Sequence, residues 1–362
     1  MDPSPTHPAA IAARIARWAT AGAQGPVTLE LYPTLVCNLD CAFCDTTTRH
    51  RPAVDELPAA RLLEILDEAA ALGAARLMVL GGGEPLIRRD ATPALLRRAR
   101  AHGMEGMLTT NGTLMGPDIA RLLLDIAWTE VHVSVDGADA GTHDALRGQS
   151  GAFKRTIQNT CRLLAWRRAA GLRFPEVALH FVLTNRNLHQ LSAMVELAAA
   201  LGAVRVDFDA LVAYRPEQRA LALSPGERAQ VPALARAAHA RAEALGIATT
   251  LPHFFEEARL VRGAAAPPRP PGEGLHGAPC LKAWHHLVVQ ADGRTSPCCV
   301  LAGEGGSARS TPLAAVWEGD ALLQAVRAGM AAGAPLPRCR ECSWNILAHE
   351  AVIRGHLPPE AR

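Results

Sequence analysis

The chain has 362 residues, 49% hydrophobic and 20% charged, with a formal net charge of +2. This is the balance of a globular protein with room for one α/β barrel and an appendage, and without a basic tract nucleic acid is a poor candidate partner. The N-terminal segment, alanine-rich but broken by Arg14 and Arg17, is expected to be neither a signal peptide nor a membrane span. Nine cysteines, an odd number grouped toward both ends, suit metal ligation in a reducing compartment better than disulfides, so a cytoplasmic location is expected.

In chain order the pattern alternates strand and helix. Val27 to Tyr32 alternates apolar and polar residues and reads as a strand leading into a cysteine loop. A helix is expected from Glu56 to Leu72, with Leu62, Ile65 and Leu66 on its apolar face, then a strand from Arg76 to Leu80 that ends in Gly81, Gly82, Gly83, Glu84 and Pro85. Helix 94–101, strand 106–110 closed by Asn111 and Gly112, helix 117–126 and strand 130–135 closed by Asp136 and Gly137 follow. A helix opened by Gly151, strand 176–183, helix 188–201 and strand 205–211 complete six units. Strands separated by helices of this length imply a parallel sheet with right-handed crossovers, here a partial (β/α)6 barrel with its working groups at the C-terminal strand ends.

From Ser224 the pattern changes. Helical periodicity runs over 227–245, a short helix is expected over 254–261, and the prolines of 264–277 mark a stiff linker. Beyond it, 285–290 and 295–301 flank Asp292 and Gly293 as a hairpin, and a helix over 313–330 precedes the last two cysteines. The expected organisation is a helical segment over 1–26, the barrel over 27–215, a helical region and linker over 216–277, and a small α+β domain over 278–362.

Cys37, Cys41 and Cys44 are separated by three and then two residues on one loop. Three thiolates at that spacing can hold three irons of a four-iron cluster, leaving the fourth open to a chelating cofactor, whereas structural zinc is closed by four ligands. Gly82 and Gly83 allow close backbone approach to a ligand. Cys161, near Ile157, Leu163 and Leu164 on its helix, reads as a core residue, and of the adjacent His285 and His286 at least one is expected at the surface.

With the cysteine loop, the glycine turn, Asn111 and the segment from Ser134 to Gly137 all at strand ends, the first 210 residues or so resemble the radical S-adenosylmethionine (SAM) enzymes. The resemblance implies that Cys37, Cys41 and Cys44 bind a catalytic [4Fe-4S] cluster and that SAM chelates its open iron. One electron would then cleave SAM to a 5′-deoxyadenosyl radical that takes a hydrogen atom from the substrate. It places Gly82, Gly83 and Glu84 against the methionine moiety, Ser134 and Asp136 at the ribose, Phe43 beside the adenine and Arg147 at the SAM carboxylate. The bland alternatives are a tight turn at Asn111–Gly112, a turn at the glycines, and a solvated arginine.

Cys280, Cys298, Cys339 and Cys342, around a hairpin and a closing Cys-x-x-Cys pair, resemble the SPASM/twitch extension of these enzymes in its shorter form. The resemblance implies one auxiliary [4Fe-4S] cluster held by four cysteines; a zinc ribbon is the structural alternative. Cys299, beside Cys298 on an expected strand, should face the other way and is a candidate hydrogen donor for an epimerase. The resemblance implies a low-potential electron donor such as flavodoxin or ferredoxin. Two substrate classes stand: oxidation or epimerisation of a carbohydrate-like or other small natural-product intermediate, favoured by the short stretch before the barrel, and modification of a ribosomally made peptide. A non-catalytic iron–sulfur or zinc protein is the reading from another class.

Overall fold

The computed structural model describes residues 4–44, 55–213, 215–256, 272–342, 344–359 and 361. Residues 257–261 of the short helix expected at 254–261 and most of the proline-rich linker lie outside the described residues, and Phe254 ends a 3-10 turn over Leu251–Phe254.

Helix α1 (Pro8–Ala21) precedes strand β1 (Thr28–Leu31), and six strand–helix units then follow in the expected order. They are β1 with α2 (Ala59–Ala71), β2 (Arg76–Val79) with α3 (Thr92–Ala101), β3 (Glu105–Thr110) with α4 (Pro117–Asp125), and β4 (Glu130–Ser134) with α5 (Ala140–Arg147) and α6 (Ala152–Ala169); the last two are β5 (Glu176–Leu183) with α7 (Leu191–Leu201) and β6 (Arg205–Ala210) with α8 (Pro225–Leu245). Helix α5 was not anticipated; Asp139 caps it by accepting from the Thr142 N–H. Helix α8 starts where expected because Ser224 and Glu227 form a reciprocal capping box.

Beyond these lie β7 (Ala248–Thr249), β8 (His286–Val289), β9 (Thr295–Ser296), α9 (Leu313–Gly319), α10 (Ala321–Ala331) and α11 (Trp344–Gly355). The nine strands form one sheet in the order β7-β6-β5-β4-β3-β2-β1-β8-β9. The hairpin expected in a separate unit instead continues the barrel sheet, for β8 pairs in parallel with β1, Thr28 opposite His286 and Leu31 opposite Val289. Local pattern cannot reveal this, because a hairpin strand and a docked parallel strand share one periodicity. The second hairpin strand is also shorter than expected, turning after Ser296 into a 3-10 turn over Cys299–Leu301.

One strand face carries Leu29, Leu31, Leu77, Val79, Val131, Val133, Phe181 and Phe208 into a core shared with the helices. The other face is concave and charged. Glu130 on β4 receives Arg76 from β2 at 2.9 Å and Arg205 from β6 at 2.5 Å. Strands two positions apart can meet in this way only if the sheet curls into an open, partial barrel. A smaller core joins Ile11 and Ile15 of α1 to Leu281, Trp284, Val326, Met330 and Ile353, so the two ends of the chain pack together. No described helix is long and apolar enough to cross a membrane.

Two stability predictions follow from this packing. A Cβ on Gly106 would lie 2.2 Å from the ring of the fully buried Trp128, so Gly106→Ala should lower unfolding free energy by about 1–3 kcal/mol in a denaturant titration. Despite burial, hydrogen bonding by His132 and the charges of His132, Arg205 and Arg76 hold Glu130 down at about 2. A depressed carboxylate adds stability that is present above its unfolded range near 4.5 and lost as pH falls toward 2. Glu130→Gln should therefore cost up to about 3 kcal/mol at neutral pH, with the gap to wild type closing at pH 2.

Candidate functional site

The cysteine loop has almost no secondary structure of its own and is clamped from three sides. The Gly83 and Glu84 N–H groups donate to the Thr34 and Val36 carbonyls at 3.1 and 2.8 Å. This approach excludes a side chain, since a Cβ on Gly83 would lie 2.0 Å from the Val36 oxygen. From the second side, the Asp40 and Ala42 N–H groups donate to the Arg147 and Leu146 carbonyls at the end of α5. From the third, Arg215 and Gln218 donate to the Cys44 carbonyl at 2.7 and 2.8 Å.

Cys37, Cys41 and Cys44 line one cavity of about 360 Å³ at the C-terminal strand ends, together with Gly81, Gly82, Gly83, Glu84, Asn111, Ser134 and Arg147. Tyr32, Thr109, Gln290 and Cys299 complete its wall. Burial pushes the Cys41 thiol up to about 12 against the opposing charge of Arg147, whose Nη1 lies 3.7 Å from Cys41 Sγ. Burial likewise raises Cys37. Burial thus favours the protonated Cys37 and Cys41 thiols, and a metal must displace those protons to bind. Three thiols converging beside a side-chain-free glycine turn fit a cluster with one open iron and a ligand lying against backbone.

The other expected contacts divide. Ser134 faces the cavity, but Asp136 is fully buried behind it, accepting from the Val182 N–H at 2.7 Å and pairing with Arg147. It can act on a ligand only by holding that arginine. Glu84 reaches the cavity wall with its oxygens already accepting from Thr110 Oγ1, the Asn111 N–H and the Leu86 N–H, and burial holds its carboxyl above the usual range. Its visible work is to tie the glycine turn to the end of β3. Asn111 is more than a turn residue: its amide donates to Asn38 Oδ1 at 2.9 Å, coupling that strand end to the cysteine loop. Phe43 is absent from the cavity-lining residues and stacks on the Arg147 guanidinium, 5.4 Å from ring centroid to Cζ.

Cys280, Cys298, Cys339 and Cys342 surround a second, mostly apolar cavity with Lys282, Val326 and Met330. Burial pushes Cys339 up to about 12 and Cys280 well above its ordinary value. Four thiols around one cavity supply a closed ligand set. Cys299 indeed faces the other way, into the first cavity, so adjacent residues look into both sites.

Two expectations are corrected, and two wall residues are added. Cys161 is exposed rather than in the core, because α6 turns it away from Leu163 and Leu164. His285 and His286 are both buried, 2% and 3% exposed, since the sheet covers one and α11 supplies Glu350 to the other. Tyr32 and Gln290 were not anticipated in the wall; their positions one residue past β1 and β8 were the available signal, as strand ends carry the working groups.

Comparison with known proteins bears on both sites. The model of the radical SAM superfamily matches residues 31–198, and that of an iron–sulfur cluster-binding domain, SPASM, matches residues 280–343. An AdoMet-dependent heme synthase of Methanosarcina barkeri is 30% identical over 305 residues, covering 81% of this chain and 82% of that protein. A PqqA peptide cyclase of Granulibacter bethesdensis is 26% identical over 335 residues, covering 89% and 82%. Among solved structures, Streptococcus suis SuiB shares the fold with a TM-score of 0.66 at 19% identity, covering 87% of this chain and 71% of that one.

Replacing Cys37, Cys41 and Cys44 together by Ala should reduce reconstituted iron from about eight to about four atoms per chain. Replacing Cys280, Cys298, Cys339 and Cys342 should remove the other four, as read by iron and sulfide assay; zinc in place of that second set would overturn the auxiliary-cluster assignment.

Proposed function

Because the chain belongs to the radical SAM superfamily and carries a C-terminal SPASM domain, we propose that it oxidises an amide- or hydroxyl-bearing substrate, in the first instance a peptide. Its cofactors are SAM, a catalytic [4Fe-4S] cluster and an auxiliary iron–sulfur cluster. When bound, the catalytic cluster supplies the electron that splits SAM and so the radical that takes a hydrogen atom from substrate.

The observation that carries oxidation is the shared wall: Cys299 lines the three-thiol cavity and Cys298 the four-thiol cavity. An electron left on a substrate in the first cavity thus has an acceptor site behind a single peptide unit. The chain's own residues bind and orient. Gly82 and Gly83 offer backbone to the methionine end of SAM, Ser134 its hydroxyl, and Arg147, fixed by Asp136, its positive charge. We assign the thiolates of Cys37, Cys41 and Cys44 to the catalytic cluster and the remaining four to the auxiliary one.

Gln290 and Thr109 offer neutral donors and acceptors suited to amides or hydroxyls. Among the described lining residues the only cation is Arg147, and it is paired with Asp136. This supports the peptide reading suggested by the PqqA peptide cyclase over a tetrapyrrole bearing several carboxylates, as the heme synthase relative would suggest. A carbohydrate-like intermediate shares the hydroxyl chemistry. Electrons would come from a flavodoxin- or ferredoxin-like donor. A second reading, epimerisation, rests on Cys299, whose thiol in the cavity wall is placed to return a hydrogen atom.

Anaerobic incubation of the reduced, cluster-loaded protein with deuterated peptides, polyols and carboxylated porphyrins should give deuterium transfer into 5′-deoxyadenosine with the peptide class. Transfer from porphyrins alone would overturn the substrate assignment. Cys299→Ala should leave an oxidation running, whereas loss of turnover with Cys299→Ala would favour epimerisation.

A further inference from the structure

A buried acid–base chain opens onto the reaction cavity from the side of the C-terminal domain. The Tyr32 phenol lines the cavity and donates to Glu30 Oε1 at 2.8 Å. Glu30, 5% exposed, accepts at its other oxygen from His286 Nε2, also at 2.8 Å. Each carboxylate oxygen therefore has one donor, and the pair is held in register by β1 and β8, whose pairing sets Thr28 opposite His286 and Glu30 opposite Val288.

A second buried acid–base pair lies beyond it. The His285 and His286 rings stand nearly perpendicular, 87° apart, with centroids at 6.2 Å. His285 Nε2 meets Glu350 Oε2 at 3.2 Å, and the other Glu350 oxygen lies 3.5 Å from Nδ1 of His349, which is 55% exposed. His285 Nδ1 is buried with no hydrogen-bond partner. Burying two histidines and two carboxylates costs desolvation that apolar packing would avoid.

We propose that Tyr32, Glu30 and His286 form the proton exit for substrate oxidation, with Tyr32 the catalytic residue and Glu30 and His286 positioning it. The proposal rests on the oxidation reading. Once a hydrogen atom has been taken from a carbon next to an N–H or O–H, the remaining substrate radical must lose one electron and one proton to become an imine or carbonyl. An iron–sulfur cluster held by Cys280, Cys298, Cys339 and Cys342 would supply the one-electron acceptor. The N–H or O–H bond breaks, its proton goes to Tyr32 Oη, and the phenolic proton moves to Glu30 Oε1 as the C=N or C=O bond forms. The groups facing Glu30 are Tyr32 and His286, both hydrogen-bonded to it, and the charge of Lys282. Electron and proton leave toward the same domain.

The test compares wild type with Glu30→Gln and Tyr32→Phe in the cluster-loaded enzyme, measuring product formed per 5′-deoxyadenosine that carries substrate deuterium. That ratio is expected to fall by about 10²-fold in both variants, whereas a purely structural defect lowers both quantities together. An unchanged ratio in either variant overturns the proposal. A second readout needs no cofactor. Tyr32 and Tyr214 are the two tyrosines, so metal-free Tyr214→Phe reports Tyr32 alone. In that background Glu30→Gln should lower the midpoint of alkaline phenol ionisation, followed by absorbance, by about one pH unit, because the neighbouring negative charge is gone. A midpoint that does not move overturns the coupling. This titration decides the coupling even where no substrate supports deuterium transfer, an outcome that would instead refute the oxidation reading.

Discussion

The site depends on a close backbone approach that leaves no space for side chains. Gly83 sits against Val36 so tightly that a Cβ would overlap its carbonyl, and the loop carrying three thiols is held through that contact rather than by a helix or strand. Glu84, one residue on, fastens the same turn to β3 through Thr110 and the Asn111 N–H. The Gly-Gly-Gly-Glu sequence therefore acts as a bracket between two strand ends, whose free surface is the floor of the cavity. Remove the bracket and the thiols lose their relative positions even if every ligand remains.

Charge is organised in the same layered way. The sheet sends its apolar side chains to the helices and turns Glu130, His132, Arg205 and Asp207 toward one another inside the curl. These half-buried ions are paired and hydrogen-bonded across strands, an arrangement that loses its stabilising effect in acid as Glu130 takes up a proton. Arg147 extends the logic to the cavity wall, where it is the counter-charge for Asp136 and the cation nearest Cys41. Four residues thereby share one electrostatic arrangement, Phe43 covering the guanidinium face.

The repeating units, their order and the seven clustered thiols were legible in the sequence because period, punctuation by glycine, and cysteine spacing are all local signals. The docking of β8 on β1 was not, since it joins segments some 258 residues apart, Thr28 to His286, and nothing in either stretch names its partner. That one long-range pairing accounts for several other misses. It buries His285 and His286 and brings Gln290 to the cavity. Asp136 shows the opposite error: alternation correctly put it on the side of Ser134, but a neighbouring arginine, visible only in three dimensions, takes its charge.

The same pairing has a consequence for synthesis. While the chain emerges from the ribosome, β1 can find β2 within about fifty residues, yet its other edge stays open until β8, some 258 residues further on, has been made. An unpaired edge beside a loop of reactive thiols invites strand addition by another molecule and premature oxidation. Helix α1 is in the same position, for its apolar face waits on Trp284, Met330 and Ile353. Completion of the C-terminal segment is thus the event that closes the sheet, covers the N-terminal helix and finishes the wall of the first cavity in a single step.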